Sequence, residues 1–395
     1  MIAVGETRLE LLVIQPSPFC NLDCDYCYLP ARSSTVRMSH EVLRRTFESV
    51  FRSSLVRGPF TVVWHAGEPL AVPISFYEKA LEWIRELNTP GVSVTHALQT
   101  NGTLIDPAWC DFFRRNEIRV GVSVDGPRFL HDHHRKTRRG GGTHGRVMKG
   151  IELLQRSGID FHVITVLTAQ ALDHPDELFR FYLANGIRRV GFNFEETEGV
   201  HLSSTLHNAD IETRARSFLS RFLALLRGSP GALELREFQG LARLVRGEAG
   251  FLQENQENTP FRILSVDASG NFSTFSPELL GMSSPLYGDF VLGNVLRDDL
   301  DQVIDTPKFK AMYADVAGGR DRCRRGCPYF AACGGGAPAN KYFENGTFRS
   351  SETLHCRLSK KAVVDVVLKS LEESLAPPTV VGWRPSRHSE LGSHL

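Results

Sequence analysis

The sequence predicts an α/β protein: a partial (β/α)6 barrel of the TIM type, followed by a smaller cysteine-bearing region. Three observations carry that expectation. Six apolar runs of strand length alternate with helical patterns over the first half of the chain, the order that gives a parallel sheet with helices outside. Right-handed crossovers curl such a sheet toward a barrel, whose chemistry sits at the C-terminal ends of the strands. Seven of the eight cysteines fall into two groups, one directly after the first strand and one near the end of the chain.

The first run, residues 9–15, leads through Pro16 into the loop Cys20-Asn21-Leu22-Asp23-Cys24-Asp25-Tyr26-Cys27. Ser39 is a good N-cap for a helix with apolar residues at helical spacing. Strands follow at 60–65, 92–99, 118–124, 161–167 and 189–194, with helices at 76–84, 107–115, 147–157 and 176–185 between them. After about residue 200 the pattern changes to amphipathic helices at 209–226 and 235–247, a hairpin at 263–275 around Asp267-Ala268-Ser269-Gly270-Asn271, and a helix at 360–373. The expected division is a barrel over 1–205, a helical bridge and hairpin over 206–305, a cysteine domain over 306–375, and a loose tail over 376–395 marked by Pro377, Pro378 and Pro385.

At 395 residues the chain exceeds what one core usually fills. Its 42% hydrophobic and 23% charged residues are those of an ordinary globular protein, and a net charge of +1 gives no global drive toward nucleic acid or an anionic membrane. The N-terminus lacks the basic start and apolar run of a secretory signal, and no run reaches the ~18 apolar residues of a membrane span. A soluble cytoplasmic protein is expected. Eight cysteines are too few for a disulfide scaffold of this size, and the isolated Cys110 is expected to be a buried apolar residue.

Three thiolates on one eight-residue loop can each hold one iron of a [4Fe-4S] cluster, leaving a fourth iron open to a bidentate cofactor. A structural zinc site, the alternative, usually shows paired C-x2-C knuckles, and none stands beside this loop. The spacing C-x3-C-x2-C with an aromatic before the last Cys resembles the cluster loop of the radical S-adenosylmethionine (SAM) superfamily. The resemblance implies a radical SAM barrel with a cluster on Cys20, Cys24 and Cys27. SAM would chelate the open iron through its methionine amine and carboxylate and be cleaved to a 5′-deoxyadenosyl radical.

Further motifs follow successive strands. Ala66-Gly67-Glu68-Pro69 resembles the GGEP motif that contacts the SAM amine, with Ala66 in place of the first Gly. Gln99-Thr100-Asn101-Gly102-Thr103-Leu104, Ser123-Val124-Asp125-Gly126-Pro127 and His131-Asp132-His133-His134-Arg135 resemble the QTNGTL, S-x-DG and HD-x-x-R signatures of the subfamily that includes anaerobic sulfatase-maturating enzymes and peptide maturases. By that resemblance Gly67, Glu68 and Pro69 meet the amine, Ser123 and Arg135 hold the carboxylate, and Asn101 and Asp125 lie near the ribose or the substrate. Tyr26 and Leu167 complete the implied cofactor contacts. Any one of these short motifs alone reads as a turn; their order at strand ends argues for a site. His131, His133 and His134 are expected to be surface or supporting histidines, and residues 136–142 a mobile basic loop.

Cys323, Cys327, Cys333 and the distant Cys356 can close a second [4Fe-4S] cluster or bind one zinc. The group resembles a SPASM domain, the C-terminal extension that houses auxiliary clusters in radical SAM peptide-modifying enzymes. The family pattern has seven cysteines for two clusters; here Ala337 stands at one such position, and the 263–281 hairpin offers Ser265, Ser273 and Ser276 but no Cys. The resemblance therefore implies one auxiliary cluster on these four cysteines, although Cys323-x3-Cys327 departs from the usual x2 spacing.

Trp64-His65-Ala66-Gly67-Glu68-Pro69, Phe192-Asn193-Phe194-Glu195-Glu196 and Phe275-Ser276-Pro277-Glu278-Leu279-Leu280-Gly281 together resemble the cyclophane-forming peptide maturases of the GrrM/OscB type. That likeness implies a crosslink from an aromatic ring to a β-carbon in a ribosomal glycine-rich precursor peptide. Glu195, Glu196 or Asp267 would be the base, the auxiliary cluster the electron acceptor, and a flavodoxin or ferredoxin the electron donor. Formylglycine formation in sulfatases and thioether formation are the alternatives. With 19 residues ahead of Cys20, peptide recognition is expected at the barrel mouth, at the SPASM region or on another chain.

Overall fold

The computed structural model describes residues 7–245 and 255–375; the expected tail and the end of the expected 235–247 helix lie outside them. Strands β1 (Leu11–Ile14), β2 (Phe60–Trp64), β3 (Val94–Thr100), β4 (Arg119–Ser123), β5 (Phe161–Leu167) and β6 (Arg189–Phe194) lie side by side in chain order, every neighbouring pair parallel. Helices α1 (His40–Arg52), α2 (Ile74–Leu87) and α3 (Pro107–Arg115) fall in the first three crossovers. The fourth holds α4 (Arg128–His134) and α5 (His144–Arg156), and the fifth α6 (Pro175–Ala184). The expected α/β order, six parallel strands with helices in the crossovers, is thus present. The sequence pattern missed α4, whose three histidines and single Leu obscure an apolar stripe.

One face of these strands is apolar and sealed: Leu12 and Ile14, Val62 and Trp64, and Val120 and Val122 are i, i+2 pairs that are all essentially inaccessible, while the alternate β2 residues Thr61 and Val63 are half-buried. Ser39 caps α1 by accepting from Val42 N at 3.1 Å. The ring of Trp64 meets Tyr77 edge-on at 5.0 Å, Tyr77 meets Trp109 at 5.5 Å, and the Tyr77 hydroxyl donates to Pro69 O at 2.6 Å. This aromatic stack locks α2 and α3 to β2 and ties the core to the loop that carries Gly67 and Glu68.

The sheet continues beyond the barrel strands. After α7 (Ile211–Gly228), β7 (Glu234–Leu235) adds to β6, and α8 (Arg236–Val245) follows. Strand β8 (Ile263–Val266) pairs in parallel with β1, and β9 (Asn271–Thr274) returns antiparallel on its far side. The hairpin read from sequence as part of a separate bridge is therefore an edge of the barrel sheet. Ile263, Leu264 and Val266 are all buried, so the strand needs cover on both faces and finds it beside β1.

The strand β10 (Ser283–Ser284) pairs with β11 (Gly288–Asp289), and β12 (Gly293–Asn294) completes the main sheet at its β9 edge. Helices α9 (Leu300–Val303), α10 (Pro307–Gly326), α11 (Phe330–Cys333), α12 (Pro338–Asn345), α13 (Leu354–Cys356) and α14 (Ala362–Leu375) form the C-terminal region, with α14 packed along α7. Among the described residues no helix is long and apolar enough to cross a membrane. Cys110 is buried in the core, as expected.

Candidate active site

The loop after β1 is held from several sides. Cys20 N donates to Arg32 O at 3.1 Å, Arg32 Nη1 donates to Cys24 O at 2.9 Å, and Arg138 Nε donates to Cys20 O at 2.9 Å. Residues 136–142, expected to be mobile, form a small hairpin docked on this loop: Lys136 bridges Gly142, Leu22 bridges Thr137, and the Arg138 guanidinium lies 5.5 Å over the Phe19 ring. The Arg138 guanidinium is spent on the backbone carbonyls of Cys20 and Arg32.

Burial pushes the Cys20 thiol up to about 11 and the Cys24 thiol up to about 12. Thiols so placed become thiolates only with a compensating cation, and bound metal deprotonates a coordinating thiol outright. Two donors already point at sulfur, Leu22 N at 3.4 Å and Asn101 Nδ2 at 3.7 Å from Cys20 Sγ. These residues suit a cluster: three sulfurs on one loop, low dielectric, and hydrogen bonds to a ligating sulfur. All eight cysteines are free thiols. Among the described residues no group of three or more His, Cys, Asp or Glu closes around a single metal ion.

The Glu68 carboxylate, expected to meet an ammonium, is filled from within the fold. It accepts from Leu70 N at 2.9 Å, Thr100 Oγ1 at 2.6 Å and Asn101 N at 2.8 Å, which clamps the end of β2 to the end of β3. Burial raises its pKa to about 6 against those hydrogen bonds. Gly67, at φ +59°, passes so close to the preceding loop that a Cβ would collide with the carbonyl oxygens of Phe19 and Ser17. Pro69 is buried. Asn101 likewise acts on the cysteine loop: Nδ2 donates to Asn21 Oδ1 at 2.9 Å, while Oδ1 accepts from Thr103 N and Oγ1.

Asp125, after β4, is also saturated by the protein. It accepts from Arg135 Nε at 2.9 Å and Nη2 at 3.1 Å, from Val166 N at 3.0 Å, and from the Tyr26 hydroxyl in a short bond. Burial raises the Asp125 pKa, but Arg135 and the other donors outweigh it and hold the carboxyl below its ordinary value. The Arg135 guanidinium also lies 5.4 Å over the Tyr26 ring. Arg135, expected to hold a cofactor carboxylate, is thus the buried counter-ion of Asp125, and the pair fixes Tyr26 within the cysteine loop. Ser123 Oγ accepts from Gln99 Nε2 at 3.0 Å, and Leu167 is fully buried at the end of β5.

The histidines are not surface residues as a set. His131 and His134 are buried; His131 Nδ1 accepts from Asp125 N at 3.3 Å and its Nε2 meets Thr143 Oγ1 at 3.0 Å, while His134 Nδ1 meets Asp25 at 2.9 Å. Burial lowers the His131 pKa to about 4, so it is neutral at pH 7.

The second cysteine group lines a cavity of about 610 Å³. Cys323 lies in the last turn of α10, Cys327 caps that helix, Cys333 ends α11 and Cys356 ends α13. Gly334, Gly335 and Gly336, all at positive φ, turn the chain sharply after Cys333; a Cβ on Gly334 would press on Asn255, whose Nδ2 donates to Cys333 O at 3.0 Å. Burial raises the Cys356 thiol to about 11, and Lys341 Nζ lies 3.5 Å from Cys323 Sγ. Four cysteines lining one cavity, with a buried ammonium beside Cys323, suit an anionic thiolate cluster.

The same cavity is also lined by residues outside the second cysteine group. Phe192 and Asn193 of β6, Glu196 and Glu198 beyond it, Glu257, and Glu278 all line it. Burial pushes Glu196 and Glu278 up to about 7, raises Glu257, and drives Glu198 well above its ordinary value. Of the three expected bases only Glu196 is here, accepting from Asn340 Nδ2 in a short bond, with His355 Nδ1 3.4 Å away. Glu195 instead pins its own loop through His201 and Thr205. Asp267 closes the β8–β9 turn, accepting from Ser269 N and from Asn271 N and Nδ2. Sequence reading missed Glu198, Glu257, Glu278 and Lys341 as site residues. Glu198 and Glu278 each sit in or beside a motif that the resemblance had already singled out.

A model of the family described as "Radical SAM superfamily" matches residues 14–182. An uncharacterised protein of Synechocystis sp. is 46% identical over 93% of both chains. A serine-type anaerobic sulfatase-maturating enzyme of Bacteroides thetaiotaomicron is 35% identical over 44% of this chain and 43% of its own, so the chain spans about half the length of that relative. Among solved structures, anSMEcpe with bound AdoMet superposes with a TM-score of 0.77 at 23% identity, over 93% of this chain and 95% of that one. Streptococcus suis SuiB bound to precursor peptide SuiA gives 0.61 at 16%, over 89% and 76%. The last two likenesses speak to the fold. With the cysteine loop at the end of β1 and the ordered strand-end motifs, the chain belongs to the radical SAM superfamily, and it is an enzyme whose cofactors are SAM and [4Fe-4S] clusters.

Proposed function

We propose that the chain modifies a peptide, and that it joins an aromatic ring to a β-carbon in a ribosomal glycine-rich precursor. The observation that carries this reading is one cavity lined both by Glu196 and Glu198, just beyond β6, and by Cys323, Cys327, Cys333 and Cys356. Closing such a crosslink requires removal of one hydrogen atom from the peptide, then of a proton and an electron from the ring adduct. Cys20, Cys24 and Cys27 would hold the cluster that, with SAM bound, would supply the radical chemistry for removing the hydrogen atom. Glu196, raised to about 7 by burial, is poised to accept a proton near neutral pH. Cys323, Cys327, Cys333 and Cys356 would hold a group able to accept the electron, and a flavodoxin- or ferredoxin-type carrier would be the redox partner.

The sulfatase-maturating relatives favour a second reading, oxidation of a Cys or Ser side chain to formylglycine, because they are 35% and 32% identical over 44% and 47% of this chain. The test is co-expression with a glycine-rich precursor followed by tandem mass spectrometry. Loss of two hydrogens per modification, with fragmentation suppressed between an aromatic residue and a near neighbour, supports the crosslink. A converted Cys or Ser with ordinary fragmentation supports the sulfatase-type reaction instead.

A further inference from the structure

Lys341 lies in the first half of α12 and is 4% exposed. Its stem passes Gly336, where a Cβ would stand 3.9 Å from the lysine Cε, and its Nζ ends 3.5 Å from Cys323 Sγ. Among the described residues it forms no ion pair with a carboxylate, and the groups that feel its charge are Cys323, Cys333 and Cys356. Lys361, on the same cavity, differs: its Nζ is paired with Glu352 at 2.7 Å. An ammonium is costly to bury without an anion, and the anion that the fold offers Lys341 is sulfur.

We infer that Lys341 sets the reduction potential of the cluster on Cys323, Cys327, Cys333 and Cys356 by giving a charged hydrogen bond to the Cys323 sulfur. The inference rests on the reading of those four cysteines as a cluster site. Cluster potentials follow net charge, hydrogen bonds to the sulfurs and exposure to solvent. A fixed positive charge stabilises the state with one more electron, so Lys341 raises the potential and makes the cluster a better acceptor. Lys341 touches a ligand and no reacting atom; it is a tuning residue.

The test uses the full chain carrying Cys20→Ala, Cys24→Ala and Cys27→Ala, so that one cluster remains, reconstituted anaerobically and titrated with dithionite under electron paramagnetic resonance. Introducing Lys341→Met into this background should lower the reduced-to-oxidised ratio at fixed potential at least tenfold, a midpoint about 59 mV more negative for a one-electron couple. Lys341→Arg, which keeps charge and donors, should stay within that interval of the parent. An unchanged midpoint in Lys341→Met overturns the inference. If Lys341→Met sheds its iron, Lys341→Arg must retain the cluster within 59 mV of the parent, and failure to do so overturns it equally. A parent without iron and sulfide at the second site removes the underlying reading, and that result appears before any Lys341 variant is made.

Discussion

Replacing Arg135 tests whether the strand-end motifs bind cofactor directly or hold the cysteine loop in place. The Arg135 side chain is 9% exposed and that of Asp125 3%, and two parallel hydrogen bonds of 2.9 and 3.1 Å join them. Unit charges about 4 Å apart at an effective dielectric constant near 20 attract by about 4 kcal/mol. Removing one partner of a buried pair generally costs about 3–5 kcal/mol, because the other charge stays buried alone. Arg135→Met and Asp125→Asn should therefore each lower stability by that amount, and the double variant should lose less than the sum. The cycle is read by urea denaturation of metal-free protein, with SAM affinity measured separately on reconstituted Arg135→Met. Asp125 also carries a pH signature. Its folded pKa is depressed, so its stabilisation is present above the unfolded value of about 3.9 and is lost as pH falls through the folded value. Acid sensitivity below about pH 4 should be weaker in Asp125→Asn. Additive losses across the cycle, or an Arg135→Met protein of parental stability that merely fails to bind SAM, would refute the counter-ion reading.

Ala66 sits at φ +70°, where a side chain costs about 1–2 kcal/mol; set against the roughly 0.5–1 kcal/mol entropy penalty of glycine, Ala66→Gly should stabilise by about 0.5–1 kcal/mol in the same denaturation assay. Gly67→Ala should displace the Ser17–Phe19 backbone and strip iron from the first cluster while the second keeps its iron, as metal and sulfide analysis would show. The triple variant Cys20→Ala, Cys24→Ala, Cys27→Ala should retain one cluster and lose reductive SAM cleavage, measured as 5′-deoxyadenosine. Burial lifts Glu196 and Glu278 both to about 7 in the fold, so peptide turnover should rise with pH through about 7 as Glu196 loses its proton. Glu196→Gln should abolish that limb. The same raised values mean that folded protein binds more protons than unfolded protein between about pH 4.5 and 7, so stability should fall across that window as pH rises.

The six barrel strands were legible because each is a short run rich in apolar and β-branched residues with at least one buried face, separated from the next by a helix of ordinary length. The cysteine loop was legible because its spacing is chemically restrictive. Other features depend on which distant segments meet. Nothing in residues 263–266 says that they lie beside residues 11–14, some 250 positions earlier in the chain, since parallel pairing leaves no turn signal between partners. Asp125 and Arg135 were each recognised as site residues, but the sequence does not say that they face each other rather than a cofactor. Asp267 was read as a possible base although Asp-Ala-Ser-Gly-Asn is itself a turn pattern, in which the Asp side chain caps the backbone. Lys341 and Glu257 resemble solvated charges in sequence; only the fold around the second cysteine group buries them.

The most direct measurement follows the hydrogen atom. A glycine-rich precursor lacking Cys and Ser, deuterated at the β-carbons of its remaining residues, is incubated with reconstituted enzyme, SAM and reductant, and the 5′-deoxyadenosine is analysed by mass spectrometry. The account predicts deuterium in 5′-deoxyadenosine, matched one for one by crosslinks in the peptide. SAM cleavage with no deuterium transferred from this peptide, but with transfer once a deuterated Cys or Ser is restored, would contradict it.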